Sequence, residues 1–177
     1  MKVDNVEFVI TAPDAYASII TYDNSVRQTH GVLIDMFLNA KDFIILAAPY
    51  LKDLSFANPN LNKALIRALE KGVSLSLIST TNSFENLNIE QYKGFSVNLY
   101  IPRINYENQN LIGSHAKFCI VDGASVYLGS ANFTFHGLNK NFEMGIYSEG
   151  KLANQVYVFW RYLCDNDFII KSALKTE

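Results

Sequence analysis

The run at residues 42–48, DFIILAA closed by Pro49, is the feature that most constrains this chain. A strand with almost no polar side chain belongs in the middle of a sheet whose two faces are both covered. Segments at helical spacing lie on either side of it. Residues 26–40 set Val32, Leu33, Met36 and Phe37 along one side, and residues 60–71 do the same with Leu61, Leu65, Ala68 and Leu69. Gly72 stands where the second helix needs its C-cap. Further strand-like runs occupy residues 6–11, 73–79, 95–101, 114–121, 125–128 and 142–147, with Asp122-Gly123 as a turn dipeptide between two of them. Residues 84–92 read as a helix and 102–113 as a surface loop. Residues 151–164 read as a closing helix with Leu152, Val156, Phe159, Trp160 and Leu163 on its apolar face. The alternation predicts an α/β fold in one domain spanning residues 1–177: a mixed, largely parallel sheet flanked by helices on both faces.

Composition narrows the function classes. With 49% hydrophobic and 18% charged residues the chain can fill a core, which excludes a disordered segment. Fifteen Lys and Arg against seventeen Asp and Glu leave a net charge of −2, which excludes a basic coat for nucleic acid but not a local basic pocket. Cys119 and Cys164 are too few for a disulfide framework and are read as reduced thiols. No apolar run approaches the roughly 20 residues that span a bilayer. The first residues carry Asp4 and Glu7 where an export signal needs a basic start and then an apolar run. These features predict a soluble, cytoplasmic protein with no membrane partner.

The chemistry concentrates in residues 113–143, GSHAKFCIVDGASVYLGSANFTFHGLNKNFE. In a strand, residues two apart share a face, so His115 and Lys117 project side by side: a nucleophile or base next to an anion binder. Ser130 and Asn132 add uncharged donors, and Gly129 before them lets the backbone bend close to a ligand. Glu143 follows, where a carboxylate could orient an imidazole through its other nitrogen. The set suits attack on phosphorus, whose transition state spreads negative charge over several oxygens. The region lacks the several carboxylates of a two-metal site and any zinc-like His/Cys spacing, so neither metal nor other cofactor is expected.

His115-x-Lys117-x4-Asp122-x6-Gly129-Ser130-x-Asn132 resembles the HKD signature of the phospholipase D superfamily, and Asn141-x-Glu143 resembles the N-x-E element that follows it. The likeness extends over roughly residues 30–150, taking in the Pro49–Leu51 turn and Lys71-Gly72-Val73 before a strand. It implies a phospholipase D-like α/β/α sandwich and a two-step, metal-independent phosphodiester cleavage. One histidine attacks phosphorus to form a phosphohistidine, and a second protonates the leaving oxygen and then activates water. This chain holds one motif only, since His30 and His136 lack the following x-Lys. The resemblance therefore implies a two-fold homodimer in which His115 of each chain faces the other. His115, Lys117, Ser130, Asn132 and Glu143 are the expected catalytic set, with Asp122, Gly129 and His136 in support.

Small single-motif members of the family are mostly nucleases, several resembling domains of antiphage defence systems. The resemblance thus implies a DNA or RNA substrate and partner proteins of a defence complex. Two rivals stay open: a phospholipid phosphodiesterase, and an idle phosphate-binding or dimerisation module. Plainer readings stand beside several residues. Asp122 heads a turn and is read first as structural. Cys119 is read as a buried thiol, Phe133 and Phe135 as core packing, and Arg103 and Tyr106 as solvated loop residues.

Overall fold

The computed structural model describes residues 5–24, 26–85, 87–103 and 115–172. The chain opens with strand β1 (Val6–Thr11), helix α1 (Asp14–Asn24), the short strand β2 (Arg27–Gln28) and helix α2 (Thr29–Asn39). The apolar run is strand β3 (Phe43–Ala47), followed by helices α3 (Leu54–Ala57) and α4 (Pro59–Glu70) and strand β4 (Ser74–Ile78). Helix α5 (Thr81–Glu85) and a 3-10 turn (Ile89–Tyr92) lead into strand β5 (Val97–Pro102). The hairpin of β6 (Phe118–Val121) and β7 (Ser125–Gly129) comes next, then helix α6 (Phe135–Asn139) and strand β8 (Glu143–Glu149). Helix α7 (Lys151–Asp165) and strand β9 (Ile169–Lys171) complete the series.

All the strands join one sheet in the order β2-β1-β8-β7-β6-β3-β4-β5-β9. Among the described residues, β1–β2, β3–β4 and β4–β5 pair in parallel and the other five pairings are antiparallel. The sheet is therefore mixed, but the expectation that it is largely parallel is corrected. Parallel neighbours need long crossovers, which β3, β4 and β5 have, whereas β6 reverses into β7 through a tight turn. Asp122 and Gly123 both take positive φ there, 55° and 65°, and Ala124 N–H donates to the Val121 carbonyl at 3.0 Å.

Both faces of β3 are buried, as its sequence demands. Ile44 and Leu46 join Cys119 and Tyr127 beneath α2 and α4, whereas Ile45 and Ala47 join Ile120 and Val126 beneath Trp160 of α7. Helix α4 shows why the local sequence suffices. The Asn58 side chain accepts from Leu61 N–H at 3.0 Å as N-cap, and Pro59 fills the first helical position. Gly72, at φ 91°, follows the C-cap, while Val73 N–H donates back to the Ala68 carbonyl at 3.2 Å.

Several boundaries differ from expectation. The helix foreseen over residues 26–40 starts only at Thr29, because Arg27 and Gln28 pair with Val9 and Ile10. The helix foreseen over 84–92 is divided between α5 and the 3-10 turn. Strand pairing foreseen from residue 114 starts at Phe118, leaving His115 and Lys117 in the approach to β6. Phe159, placed on the apolar face of α7, is 62% exposed.

Candidate active site

Residues 115–117 enter β6 beside the carboxyl end of β3, because Ala47 pairs with Phe118. β7 ends and β8 begins at this same end, with Gly129 opposite Gly145. The crevice outside the carboxyl ends of parallel strands is where open α/β sheets place their ligands. Here the loop after β3 is fastened to the loop after β7: Leu51 bridges Phe133, and Lys52 N–H donates to the Phe133 carbonyl at 3.1 Å.

Lys117 is buried, and its Nζ lies 3.1 Å from His115 Nδ1 while donating to the His115 carbonyl at 2.9 Å. The side-by-side placement read from the sequence holds, although it is a tether between side chains and not a strand register. The imidazole stays exposed. Burial pulls the Lys117 ammonium below the usual lysine range, and the Glu143 carboxylate opposes that pull.

Glu143 is tied on both oxygens: Ser130 Oγ donates to Oε2 at 2.5 Å and Asn141 Nδ2 donates to Oε1 at 2.9 Å. Ser130 is fixed in turn, its Oγ accepting from Met144 N–H at 3.1 Å. The foreseen contact in which Glu143 orients His115 is not made within one chain. Both oxygens are committed elsewhere, and the charge acts on Lys117. The Asn132 Oδ1 atom is buried with no hydrogen-bond partner among the described residues.

Gly129 has a different reason from the one expected. A Cβ there would come within 2.2 Å of the Tyr127 hydroxyl, so its bare backbone makes room for a buried ring and not for a ligand. Tyr127 itself stays protonated, since burial pushes its hydroxyl up to about 12. Gly137 escaped the sequence reading as a site-shaping residue. A Cβ on it would stand 2.3 Å from the Asn132 carbonyl oxygen, so α6 can press against the Asn132 backbone only with glycine at that point.

Asp122 lies at the opposite end of β6 from the site. Its carboxylate accepts from the backbone N–H groups of Lys41, Asp42 and Phe43, each at 2.9 Å, and fastens the hairpin turn to the start of β3. Its signature position is thus structural. Cys119 is fully buried and Cys164 half-buried, both as free thiols. Phe133 is core, whereas Phe135 is exposed and lines a cleft with His136, Asn132, Tyr50, Lys52 and Phe56, a correction to the paired core reading. Arg103 pairs with Asp167 at 3.8 Å in solvent. Tyr106 and residues 104–113 of the foreseen loop lie outside the described residues.

The signature, its tethering and the mixed sheet now stand together, and the family profile described as "Cardiolipin synthase, PLD-like domain" matches residues 33–161. The chain belongs to the phospholipase D-like family. It is 25% identical over 145 residues to the DISARM protein DrmC of Bacillus paralicheniformis, covering 80% of this chain and 55% of that protein. It is 28% identical over 132 residues to Phospholipase D Z of Dictyostelium discoideum, covering 67% of this chain and 31% of that protein. The chain thus spans about half of one relative and under a third of the other. The fold matches NucT from Helicobacter pylori with a TM-score of 0.68 at 14% identity, over 96% of this chain and all of that one. Nuc from Salmonella typhimurium, a phospholipase D family member, matches with a TM-score of 0.66 at 19% identity, over 96% of this chain and 99% of that one. No helix among the described residues is long and apolar enough to cross a membrane.

Proposed function

We propose that this protein is a metal-independent phosphodiesterase acting on DNA or RNA, with an active site completed by two copies of the chain. The observation that carries the reading is the Lys117 tether, which sets a buried ammonium 3.1 Å from an exposed imidazole at the carboxyl end of β3. In the reaction, His115 attacks phosphorus and the P–O bond breaks, leaving a phosphohistidine. The second copy's imidazolium gives its proton to the departing oxygen. Now neutral, that imidazole takes a proton from water, whose oxygen displaces the P–N bond and frees His115. Lys117 and Asn132 receive the charge that gathers on the phosphoryl oxygens.

Two features support a shared site. One chain offers one signature imidazole, and its own Glu143 is bonded to Ser130 and Asn141. The second feature is an uncovered stretch of sheet. Phe8 and Met144 are 50% and 66% exposed on the face that α7 and α1 cover elsewhere. The registers Phe8 with Ile146 and Leu128 with Ile146 put them on the same side as the α7 core. Phe159 of α7 is exposed too, lining an apolar hollow with Leu128, the partner of Ile146 in the sheet. Likeness to a DISARM protein supports the expectation of partner proteins.

The test incubates the protein in EDTA with single- and double-stranded DNA, RNA and phospholipid vesicles, beside His115→Ala. Nucleic-acid cleavage that survives EDTA, vanishes in the variant and leaves an acid-labile phosphate on His115 is the expected result. A requirement for Mg²⁺ would sink the histidine mechanism, and cleavage of lipid alone would transfer the reading to phospholipids.

A further inference from the structure

The cleft beside Asn132 has a volume of about 660 Å³, within the roughly 300–1,000 Å³ typical of ligand sites. Its walls carry Tyr50, Phe56 and Phe135, which are 61%, 80% and 46% exposed. Three aromatic rings left in water around one concavity form a patch of the kind that marks a binding surface. We infer that this cleft binds single-stranded nucleic acid by stacking unpaired bases on Tyr50, Phe56 and Phe135, and leads the strand into the phosphate site at Asn132. This rests on the nuclease reading and names its substrate class.

Three observations favour a base-bearing strand over other occupants. The cleft is continuous with the reaction centre, because Asn132 belongs to both. Its charged rim suits phosphates: Lys52 lies on the wall, and Lys140 Nζ sits 5.8 Å from the Phe135 ring centre. Among the described residues on the wall the one carboxylate is Asp53, which is buried and engaged as the cap of α3, accepting from Ser55 N–H at 2.8 Å. Finally, with a net charge of −2 the chain carries no basic coat beyond this local rim, so contacts that do not scale with charge have more of the affinity to supply. Base stacking is such a contact, and it is available only where bases are unpaired.

The test uses fluorescence anisotropy with His115→Ala protein, so that binding is read without turnover. The ligands are an oligothymidylate of about 12 nucleotides, a duplex of equal length and an abasic oligonucleotide with the same phosphates. Single strand should bind at least tenfold tighter than either duplex or abasic ligand. Phe56→Ala and Tyr50→Ala, both on exposed side chains, should each weaken single-strand binding by about tenfold while circular dichroism stays unchanged. Equal binding of duplex and single strand, equal binding of the abasic ligand, or indifference to both substitutions would each overturn the inference. So would anionic phospholipid vesicles that bind through Phe56 while the oligonucleotide does not. Protein with His115 intact separates the two claims. If it binds oligothymidylate through Phe56 but never cleaves, the nuclease reading falls and the cleft stands. If it cleaves both forms equally with Phe56→Ala indifferent, the nuclease stands and the cleft assignment falls.

Discussion

Lys117 sits between two opposing influences, burial that strips its proton and the Glu143 carboxylate that helps retain it. The sign of a Glu143→Gln change follows: with the opposing charge gone, the ammonium loses its proton at a lower pH. The alkaline limb of the cleavage profile should therefore move to lower pH in Glu143→Gln, with the acid limb in place. A pH–rate series on an oligonucleotide checks this, and an unmoved alkaline limb would assign it to another group. Gly137 gives a steric prediction. With a Cβ aimed 2.3 Å from the Asn132 carbonyl, Gly137→Ala should displace Asn132 and lower kcat at least tenfold. Its melting temperature should fall by only a few degrees, as about 1 kcal/mol of strain implies. The nearness of Lys117 to His115, and the candidacy of Asn132, were legible in sequence because phosphoryl chemistry calls for those residue types at that spacing. The constraint on Gly137 was hidden, because it arises where α6 meets a distant loop backbone.

At the scale of elements, legibility followed amphipathicity and turn chemistry. Strand β1 and helix α4 were readable from their apolar spacing, and Gly72 marked where α4 ends. Helix α1 was not, since Tyr16, Ile19 and Tyr22 point into solvent and, among its described side chains, only Ala17 is buried, which leaves too narrow an apolar face to detect. Strand β2 exists only because β1 pairs with it, and two residues carry no period. The β6–β7 turn was legible as a turn, but its second task required the fold. Asp122 reaches across to three backbone amides at the start of β3, where charge-assisted bonds are each worth roughly 1.5–3 kcal/mol. Asp122→Ala should therefore cost about 3 kcal/mol or more of unfolding free energy in urea titrations. The fraction that remains folded should turn over substrate normally, since Asp122 stands at the far end of β6. A selective loss of kcat with unchanged stability would instead return Asp122 to the reaction.

For the whole molecule, the question is why a well-packed sheet leaves Phe8 and Met144 in water. Helices cover both faces of the central strands, yet between α1 and α7 the β1–β8 pair shows its apolar side. Met144 adjoins Glu143 in the chain and points to the other face of β8, so this bare patch runs up to the reaction end. A second copy that covered the patch through a two-fold axis would bring its own reaction end beside the first. The prediction is that Phe8→Glu or Met144→Glu leaves a folded monomer, because both side chains are already exposed in the single chain. A charge forced into a dry interface weakens it by about 100-fold or more. Sedimentation should then show a monomer at concentrations where the parent is a dimer. Specific activity should fall in step with dimer fraction and recover as protein concentration rises. Dilution of the parent should trace the same curve at lower concentration, since the proposed reaction draws its second imidazole from the other copy. Activity per chain that stays constant through complete dissociation would mean that one copy suffices, and the shared site would be wrong.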